Sequence, residues 1–288
     1  MTTPQQKYVN CQNPKGSHKT AYFQWGNPGP TPPIICVHGL TRNAHDFDKL
    51  AQALSRHTQV LCPDVVGRGQ SDWLPSPQLY DYSQYVTDMN TLMTKIKAPK
   101  ISWIGTSMGG LIGMMLAAMP QSPIKCLIIN DVGPYLEARA LDRIGSYVGT
   151  APKFQNLKEV EHYLRTVHAP FAPMTNQDWQ TMAQHSSKQT PEGNYQLSYD
   201  PKIGDALRAS LTGQDVNLWP IWEAITCPTL VIRGAKSDLL SKGTAQQMTT
   251  TGPKAQLIEI AEAGHAPSLM SQDQINLIAN WLKEQKML

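Results

Sequence analysis

The sequence predicts an α/β protein with a mostly parallel central sheet flanked by helices. From residue 33 onward, short apolar runs alternate with longer amphipathic runs, which is typical of successive strand–helix–strand units. The alternation stops at residue 135 and resumes after residue 213, and helix-like segments fill this interval. Because about 80 residues of short helices bury little apolar surface alone, the interval is predicted to be an insertion rather than a separate domain.

The first part of the chain supplies most of the predicted strands. Apolar runs rich in β-branched residues and bounded by turn residues predict strands at 32–39, 58–64, 100–105 and 124–134. Apolar residues at helical spacing, such as Leu50 and Leu54, predict helices at 46–56, 81–96 and 108–119. Two further runs, 8–11 and 19–26, are predicted to form an antiparallel pair at the edge of the sheet.

The second part of the chain completes the pattern. It predicts strands at 228–238 and 255–265 and a closing helix at 271–285. Within the insertion, helices are predicted at 135–149, 157–168 and 175–186. The predicted organisation is therefore an α/β core formed by residues 1–134 and 214–288, with a helical insertion at residues 135–213 that covers part of it.

Charge and hydropathy argue against two classes of partner. The formal charge is +3, from 25 Lys and Arg against 22 Asp and Glu. Such a balance, without a run of basic residues, argues against nucleic acid and against an anionic membrane surface. The longest apolar run, 111–119, is shorter than the roughly 20 residues that a membrane-spanning helix needs. We therefore expect partners that are neither nucleic acids nor membranes.

The cysteines and the amino-terminal segment favour a cytoplasmic location. Residues 1–10 are polar and lack the basic start and apolar stretch of a secretory signal. The five cysteines are an odd number, and Cys36, Cys62 and Cys126 lie in apolar runs, where cysteine usually behaves as a small buried hydrophobe. A reducing cytoplasm is the simplest expectation, and the sequence makes no prediction of the oligomeric state.

Ser107 is the first candidate functional residue. It follows a predicted strand, precedes a predicted helix and lies between Gly105 and Gly109. Glycines at these two positions permit a sharp turn that holds the serine hydroxyl above the sheet edge. A serine before a helix is also an ordinary N-cap, so the nucleophile hypothesis requires partners elsewhere in the chain.

A serine nucleophile needs a base, and the base needs an acid to orient it. Among the eight histidines, His265 is the best placed, because it follows a predicted strand and a glycine and precedes the last helix. Asp238 ends the strand before that one, and its position and the order Ser, acid, His make it the preferred acid. Asp131, which ends the strand after the serine helix, is the rival. Asp64 also ends a strand, but turn glycines surround it and favour a structural role.

Acyl transfer also needs donors for the oxyanion of its tetrahedral intermediate. One donor is expected from the backbone N–H of Met108, the residue after the serine. The other is expected from the first strand-to-helix loop, where Leu40 follows His38 and Gly39. Only the backbone of these two donors matters for this role, so the Leu40 and Met108 side chains are candidates for the walls of a substrate pocket.

These segments resemble the α/β-hydrolase family. "VHGLTRN", "DVVGRGQSDW", "IGTSMGG", "VIRGAKSD" and "EAGHAPSL" match its oxyanion loop, post-strand loop, nucleophile elbow, acid loop and histidine loop, in the family's order. The resemblance covers nearly the whole chain and implies an α/β-hydrolase fold in which residues 135–213 correspond to the variable cap. The motifs specify fold and triad far better than substrate, because this fold carries many chemistries.

The resemblance implies a hydrolase, and two reactions fit it. In the first, Ser107, His265 and Asp238 cleave a carboxylic ester through an acyl-enzyme, with a small to medium, largely apolar substrate suggested by the Met-rich and aromatic cap. The second is hydrolytic C–C cleavage of a diketone from aromatic ring cleavage. Enzymes of that kind usually hold the substrate carboxylate with basic or polar groups, for which Arg42, Arg139, Arg143 and Arg165 are the candidates. The ester reaction is preferred.

Two further expectations complete the prediction. A non-catalytic binding protein with this fold usually lacks a triad member, and all three residues are present here, so an enzyme is favoured. No metal or organic cofactor is predicted, because histidine spacings such as His38 to His45 and His162 to His168 lack the local pattern of zinc ligands. The predicted partner is a small-molecule ester.

Overall fold

The computed structural model describes residues 3–288, so residues 1 and 2 of the predicted core lie outside the described residues. Its strands, in chain order, are β1 (Gln5–Asn13), β2 (Gly16–Trp25), β3 (Ile34–Val37), β4 (Val60–Pro63), β5 (Ile101–Thr106), β6 (Ile124–Asn130), β7 (Tyr135–Leu136), β8 (Lys153–Phe154), β9 (Ser187–Gln189), β10 (Tyr195–Leu197), β11 (Val216–Asn217), β12 (Thr229–Gly234) and β13 (Gln256–Ile260).

The helices pack on the sheet or build the cap. They are α1 (Asp48–Leu54), α2 (Tyr82–Ile96), α3 (Met108–Ala117), α4 (Ala138–Tyr147), α5 (Leu157–Val167), α6 (Asn176–His185), α7 (Lys202–Ser210), α8 (Trp219–Glu223), α9 (Lys242–Met248) and α10 (Gln272–Glu284). Short 3-10 helices cover Ala44–Phe47 and Pro77–Leu79. In residues 3–288, no helix combines the length and apolar character required to cross a membrane.

The central sheet has eight strands in the order β1-β2-β4-β3-β5-β6-β12-β13. The pairs β1/β2 and β2/β4 are antiparallel, and the remaining pairs are parallel. The prediction of a mostly parallel sheet flanked by helices is therefore confirmed. The amino-terminal antiparallel pair is also present, and it forms one edge of the sheet.

The middle strands are buried on both faces, which explains their continuous apolar sequences. Along β3, Ile35 and Val37 belong to one buried cluster with helices α2 and α3, whereas Ile34 and Cys36 belong to the other, with α1 and α10. The two clusters are therefore the two faces of one sheet. Because helices pack on both faces of the sheet, the carboxyl ends of its parallel strands are fixed relative to one another.

Residues 135–213 contain α4 to α7 and the short strands β7 to β10. The three predicted helices of this segment match α4, α5 and α6, whereas α7 and the small sheet β8-β10-β9 were not predicted. Strands of two or three residues are too short to show a period in sequence. Strand β7 pairs with β11, so the two ends of the segment meet at Leu136 and Val216. The exact boundaries of the cap stay a prediction.

The turn between β5 and α3 is the tightest connection in the fold. A Cβ atom on Gly105 would collide with the Gly109 backbone, and a Cβ on Gly109 would collide with the Val37 carbonyl. The helix therefore starts directly against the sheet, and any side chain at these two positions would push it away.

Gly105→Ala is expected to destabilise the fold by about 3 kcal/mol, because the added methyl group meets backbone atoms that have no rotamer to change. Urea unfolding followed by circular dichroism measures this loss. Gly29→Ala is the matched control, since a Cβ there meets nothing within 4 Å and should change stability by less than about 0.5 kcal/mol. Equal unfolding midpoints for the two variants would contradict the steric account.

Candidate active site

Ser107 occupies the turn between β5 and α3 with a strained backbone. Its φ of 52° and ψ of −116° lie outside the ordinary regions for a side-chain-bearing residue. Its N–H donates to the Asn130 carbonyl at 2.9 Å, and its side chain makes no capping hydrogen bond to α3. The hydroxyl thus lies at the carboxyl edge of the sheet. Ser107 occupies the N-cap position of α3, but its side chain does not cap the helix.

His265 lies beside this hydroxyl, as the sequence predicted. Its Nε2 is 3.0 Å from the Ser107 Oγ, and its Nδ1 is 2.8 Å from Oδ2 of Asp131. The side chain of Asp131 is fully buried, and that of His265 is 13% exposed. Because a carboxylate can only accept, Nδ1 carries a hydrogen and Nε2 is left to accept the hydrogen of the serine hydroxyl.

Asp131 is fixed by further donors. Its Oδ1 accepts the backbone N–H of Gly234 at 2.7 Å, and its Oδ2 accepts the Ser237 hydroxyl at 2.6 Å. Both donors come from the end of β12, the strand beside β6. These two hydrogen bonds therefore fix the orientation of the carboxylate that contacts His265.

The prediction that Asp238 orients His265 is wrong. Its side chain is 52% exposed and pairs with Arg143, with Arg143 Nε 2.7 Å from Asp238 Oδ2. The physical reason lies in the loops after the strands. Asp131 comes directly after β6 and its carboxylate meets His265, whereas Asp238 lies several residues beyond the end of β12 at Gly234. The turn after β12 directs Ser237 toward Asp131, whereas its neighbour Asp238 meets the cap.

The first strand-to-helix loop lies against Ser107. A Cβ built on Gly39 would be 3.7 Å from the Ser107 Cβ, so the Leu40 and Met108 backbones flank the serine. Both residues line the same cavity as Ser107. In residues 3–288, neither the Leu40 N–H nor the Met108 N–H donates a hydrogen bond to a protein acceptor. These two groups are available as donors, as the oxyanion-hole prediction requires.

His38 holds the loop that carries Leu40. Its Nδ1 donates to the Gly39 carbonyl at 2.7 Å, and its Nε2 accepts the Val65 N–H at 2.9 Å. Complete burial lowers its pKa to about 3, so the ring is neutral. The Gly39 carbonyl and the Leu40 N–H belong to the same trans peptide and point in opposite directions. The hydrogen bond from His38 therefore fixes the direction of the Leu40 N–H.

Arg68 holds the same loop from another side. Its Nε donates to the Leu40 carbonyl at 2.8 Å, and its Nη2 is 3.5 Å from the sulfur of Met108. The guanidinium also lies 4.8 Å from the centre of the Tyr85 ring. The residue is fully buried, so both candidate donor residues are contacted by one rigid group.

A cavity of about 620 Å³ opens over Ser107 and His265. Most of its wall is apolar, and the cap contributes residues from α4 and α7 as well as Phe171. A cavity of this volume suits a small to medium organic molecule. Two buried polar residues share the wall. Arg42 pairs with Asp46, and burial lowers the pKa of His168 well below its ordinary value.

Two groups of side chains elsewhere have metal-ligand chemistry. Cys11, His18 and Asp88 form a buried cluster, and His45, Asp48 and His185 form a half-buried cluster between the core and the cap. Burial and Asp88 raise the pKa of the Cys11 thiol to about 12, which disfavours the thiolate that metal binding requires. In the second group the His45 and His185 rings stack face to face, with centroids 3.8 Å apart. The Nδ1 of His45 also lies 2.9 Å from Oδ2 of Asp48, so the protein itself supplies a partner for this ring.

The fold and this site define a hydrolase of the α/β class. A family model described as alpha/beta hydrolase fold matches residues 32–270, and the chain belongs to that family. It is 41% identical to a 3-hydroxybutyrate-oligomer hydrolase of Cupriavidus necator, over 95% of this chain and 96% of that protein.

Further relatives agree with the assignment. A 2-(acetamidomethylene)succinate hydrolase of Mesorhizobium japonicum is 26% identical, over 82% of each chain. The crystal structure of an alpha/beta hydrolase from Novosphingobium aromaticivorans superposes with a TM-score of 0.88 at 33% identity, over 98% of this chain and 99% of that chain.

Sequence reasoning missed Ser237, His38 and Arg68 as supports of the site. Ser237 was overlooked because its neighbour Asp238 carries the more obvious carboxylate. His38 directly precedes Gly39 in the predicted oxyanion loop, and this position is a usable signal for a residue that supports the loop. Arg68 lies in the glycine-containing loop after β4, and nothing in its sequence context distinguishes it from an exposed arginine.

The assignment of Asp131 as the acid and the assignment of Asp238 predict different losses of catalytic activity in variants of these residues. Asp131→Asn is expected to reduce kcat on p-nitrophenyl butyrate by about 10³- to 10⁴-fold, because an amide no longer selects the His265 tautomer that accepts from Ser107. Asp238→Asn, which loses a contact to Arg143, should lose less than about tenfold. Steady-state kinetics on both variants decides between them, and a larger loss in Asp238→Asn would reinstate the original assignment.

The buried His38 predicts a pH effect on stability. Its pKa of about 3 in the folded state is below the ordinary 6.5, so the unfolded chain takes up the proton first. The stabilisation is present above pH 6.5 and is lost as the pH falls toward 3. Urea unfolding between pH 7 and pH 4.5 should show a steeper loss in the wild type than in His38→Gln. Parallel curves for the two proteins would disprove the assignment of a neutral His38.

Proposed function

We propose that the protein hydrolyses carboxylic esters through an acyl-enzyme, with Ser107 as nucleophile, His265 as base and Asp131 as the orienting acid. The observation that supports the proposal is the continuous hydrogen-bonded series from Asp131 through His265 to Ser107, at 2.8 and 3.0 Å. A hydroxyl at neutral pH is a poor nucleophile without such a base.

The acylation step follows from the hydrogen positions. The Ser107 Oγ attacks the ester carbonyl carbon while its proton moves to Nε2 of His265. The imidazolium formed is stabilised by the carboxylate of Asp131. The same proton then passes to the alkoxide oxygen as the C–O bond breaks, and the alcohol leaves.

Backbone groups stabilise the charge that develops. The carbonyl oxygen becomes an oxyanion in the tetrahedral intermediate, and the N–H groups of Leu40 and Met108 are proposed to donate to it. Met108 is the first residue of α3, so the positive end of the helix dipole adds to the effect. Water, activated by His265, then attacks the acyl-enzyme and releases the acid.

The proposed substrates are short ester-linked oligomers of 3-hydroxybutyrate. The relative from Cupriavidus necator is named for these oligomers and aligns over nearly the full length of both chains. A largely apolar cavity of about 620 Å³ is compatible with a short aliphatic oligoester. The free cysteines, all buried, are compatible with a reducing cytoplasm as the site of action.

The structure offers less support for C–C cleavage. All four arginines predicted to serve that reaction already have protein carboxylate partners. Arg42, Arg139, Arg143 and Arg165 pair with Asp46, Glu137, Asp238 and Glu161, respectively. The named relative at 41% identity acts on an ester oligomer. Ester hydrolysis is therefore the single reaction that we propose, and turnover of a dienoate ring-cleavage product exceeding that of esters would reverse the choice.

Ser107→Ala is expected to lower kcat on both p-nitrophenyl butyrate and the 3-hydroxybutyrate dimer by about 10⁴-fold or more, because the nucleophile is removed. The variant should also lose the covalent mass increase that a fluorophosphonate gives the wild type. Ser83→Ala, at an exposed position on α2, is the control and should retain both. Full ester turnover by Ser107→Ala would refute the nucleophile, and an unlabelled, inactive wild type would favour a non-catalytic binding protein.

A further inference from the structure

Arg143 is held at the junction of the cap and the core. It lies on α4 and lines the cavity that contains Ser107. Its Nε is 2.7 Å from Asp238 Oδ2, and its Nη2 donates to Asp238 Oδ1 at 3.1 Å. Asp238 belongs to the loop after β12, so a core carboxylate fixes the orientation of a cap guanidinium.

Asp238 occupies one edge of this guanidinium, and the Tyr147 hydroxyl lies beside the group. In residues 3–288, Nη1 of Arg143 donates no hydrogen bond to a protein acceptor, and the side chain is 43% exposed. A guanidinium presents its donors as a planar fork, and each edge can bind one carboxylate through two parallel hydrogen bonds. The edge formed by Nη1 and Nη2 is therefore available to a second carboxylate while Asp238 keeps the first.

The other cationic groups of the cavity wall are not available in this way. Arg42 is 4% exposed, donates twice to Asp46 and donates once to the Ser186 hydroxyl. Desolvation and the nearby charge of Arg42 lower the pKa of His168 well below its ordinary value, so that ring carries no charge at neutral pH. Among the cavity-lining residues that the structure describes, Arg143 is the permanent cation with free donors.

We propose that Arg143 forms a subsite for the free terminal carboxylate of the substrate, with Asp238 as its positioning residue. The inference rests on the proposed function, because an oligoester of a hydroxy acid carries one free carboxylate at its end. The apolar wall contacts the aliphatic units, Ser107 attacks an ester bond, and Arg143 binds the terminal anion. Such a site selects short free acids over esters that lack the charge.

Binding without turnover tests the subsite directly. Ser107→Ala protein is titrated calorimetrically with the 3-hydroxybutyrate dimer as the free acid and as its methyl ester. The free acid is expected to bind more tightly. Adding Arg143→Gln should lower the ratio of the two affinities by about tenfold or more, which is the value of a charge-assisted bidentate contact.

Three variants distinguish a loss of carboxylate recognition from a general disruption of the protein structure. Arg139→Gln is the matched control, since Arg139 lies on the same helix and pairs with Glu137 but does not line the cavity. It should leave the affinity ratio unchanged. Arg143→Lys keeps the charge without the planar fork and should retain part of the preference. Asp238→Asn should weaken free-acid binding less than Arg143→Gln does.

The outcomes distinguish the subsite from the proposed function. Equal affinity of the two ligands for Ser107→Ala, or an equal loss for both ligands in Arg143→Gln, would overturn the subsite. In proteins with Ser107 intact, Arg143→Gln should raise KM for the free acid more than it lowers kcat. A wild type that hydrolyses neither p-nitrophenyl butyrate nor the dimer would overturn the proposed function, while the binding ratio would still report on Arg143.

Discussion

The buried carboxylate of Asp131 is the interaction on which the arrangement of the site depends. It follows β6 and accepts hydrogen bonds from the end of β12 and from the loop after β13, through Gly234, Ser237 and His265. A buried carboxylate is costly unless donors surround it. The same donors that make this burial tolerable also tie the ends of three strands together. His265 therefore meets Ser107 at hydrogen-bond distance. The cap supports the same loop, because the N–H groups of Gly264 and Ser268 donate to the carbonyls of Pro170 and Ala172.

A second set of buried polar groups organises the opposite side of the serine. Arg68 is completely buried and donates to the carbonyls of Leu40 and Val66. In residues 3–288 Arg68 has no ion-pair partner within 4 Å, so these carbonyls and the Tyr85 ring stabilise its positive charge. Backbone carbonyls solvate a cation without neutralising it. The positive charge therefore remains beside the loop in which an oxyanion is proposed to bind.

Much of the fold and part of the site could be predicted from the sequence, because apolar residues at regular spacing and turns bounded by glycine are local signals. The strands of the sheet, the helices α2, α3 and α10, and the positions of Ser107 and His265 depend on such signals. The choice between Asp131 and Asp238 depends instead on which carboxylate the loops after β6 and β12 direct toward His265, and this is a property of the folded chain. Both aspartates come at the end of a predicted strand and both preserve the order Ser, acid, His, so no local pattern separates them.

The position of Asp238 nevertheless has a structural consequence. A carboxylate at a strand end of an α/β sheet lies beside the ligand crevice, whichever residue supports the base. Here Asp238 meets Arg143, and the exposure of both side chains means that their pairing adds little stability. The pairing does fix the orientation of the Arg143 guanidinium, since two hydrogen bonds leave a planar cation few orientations. The core thus constrains the orientation of Arg143 in the part of the cavity wall that the cap provides.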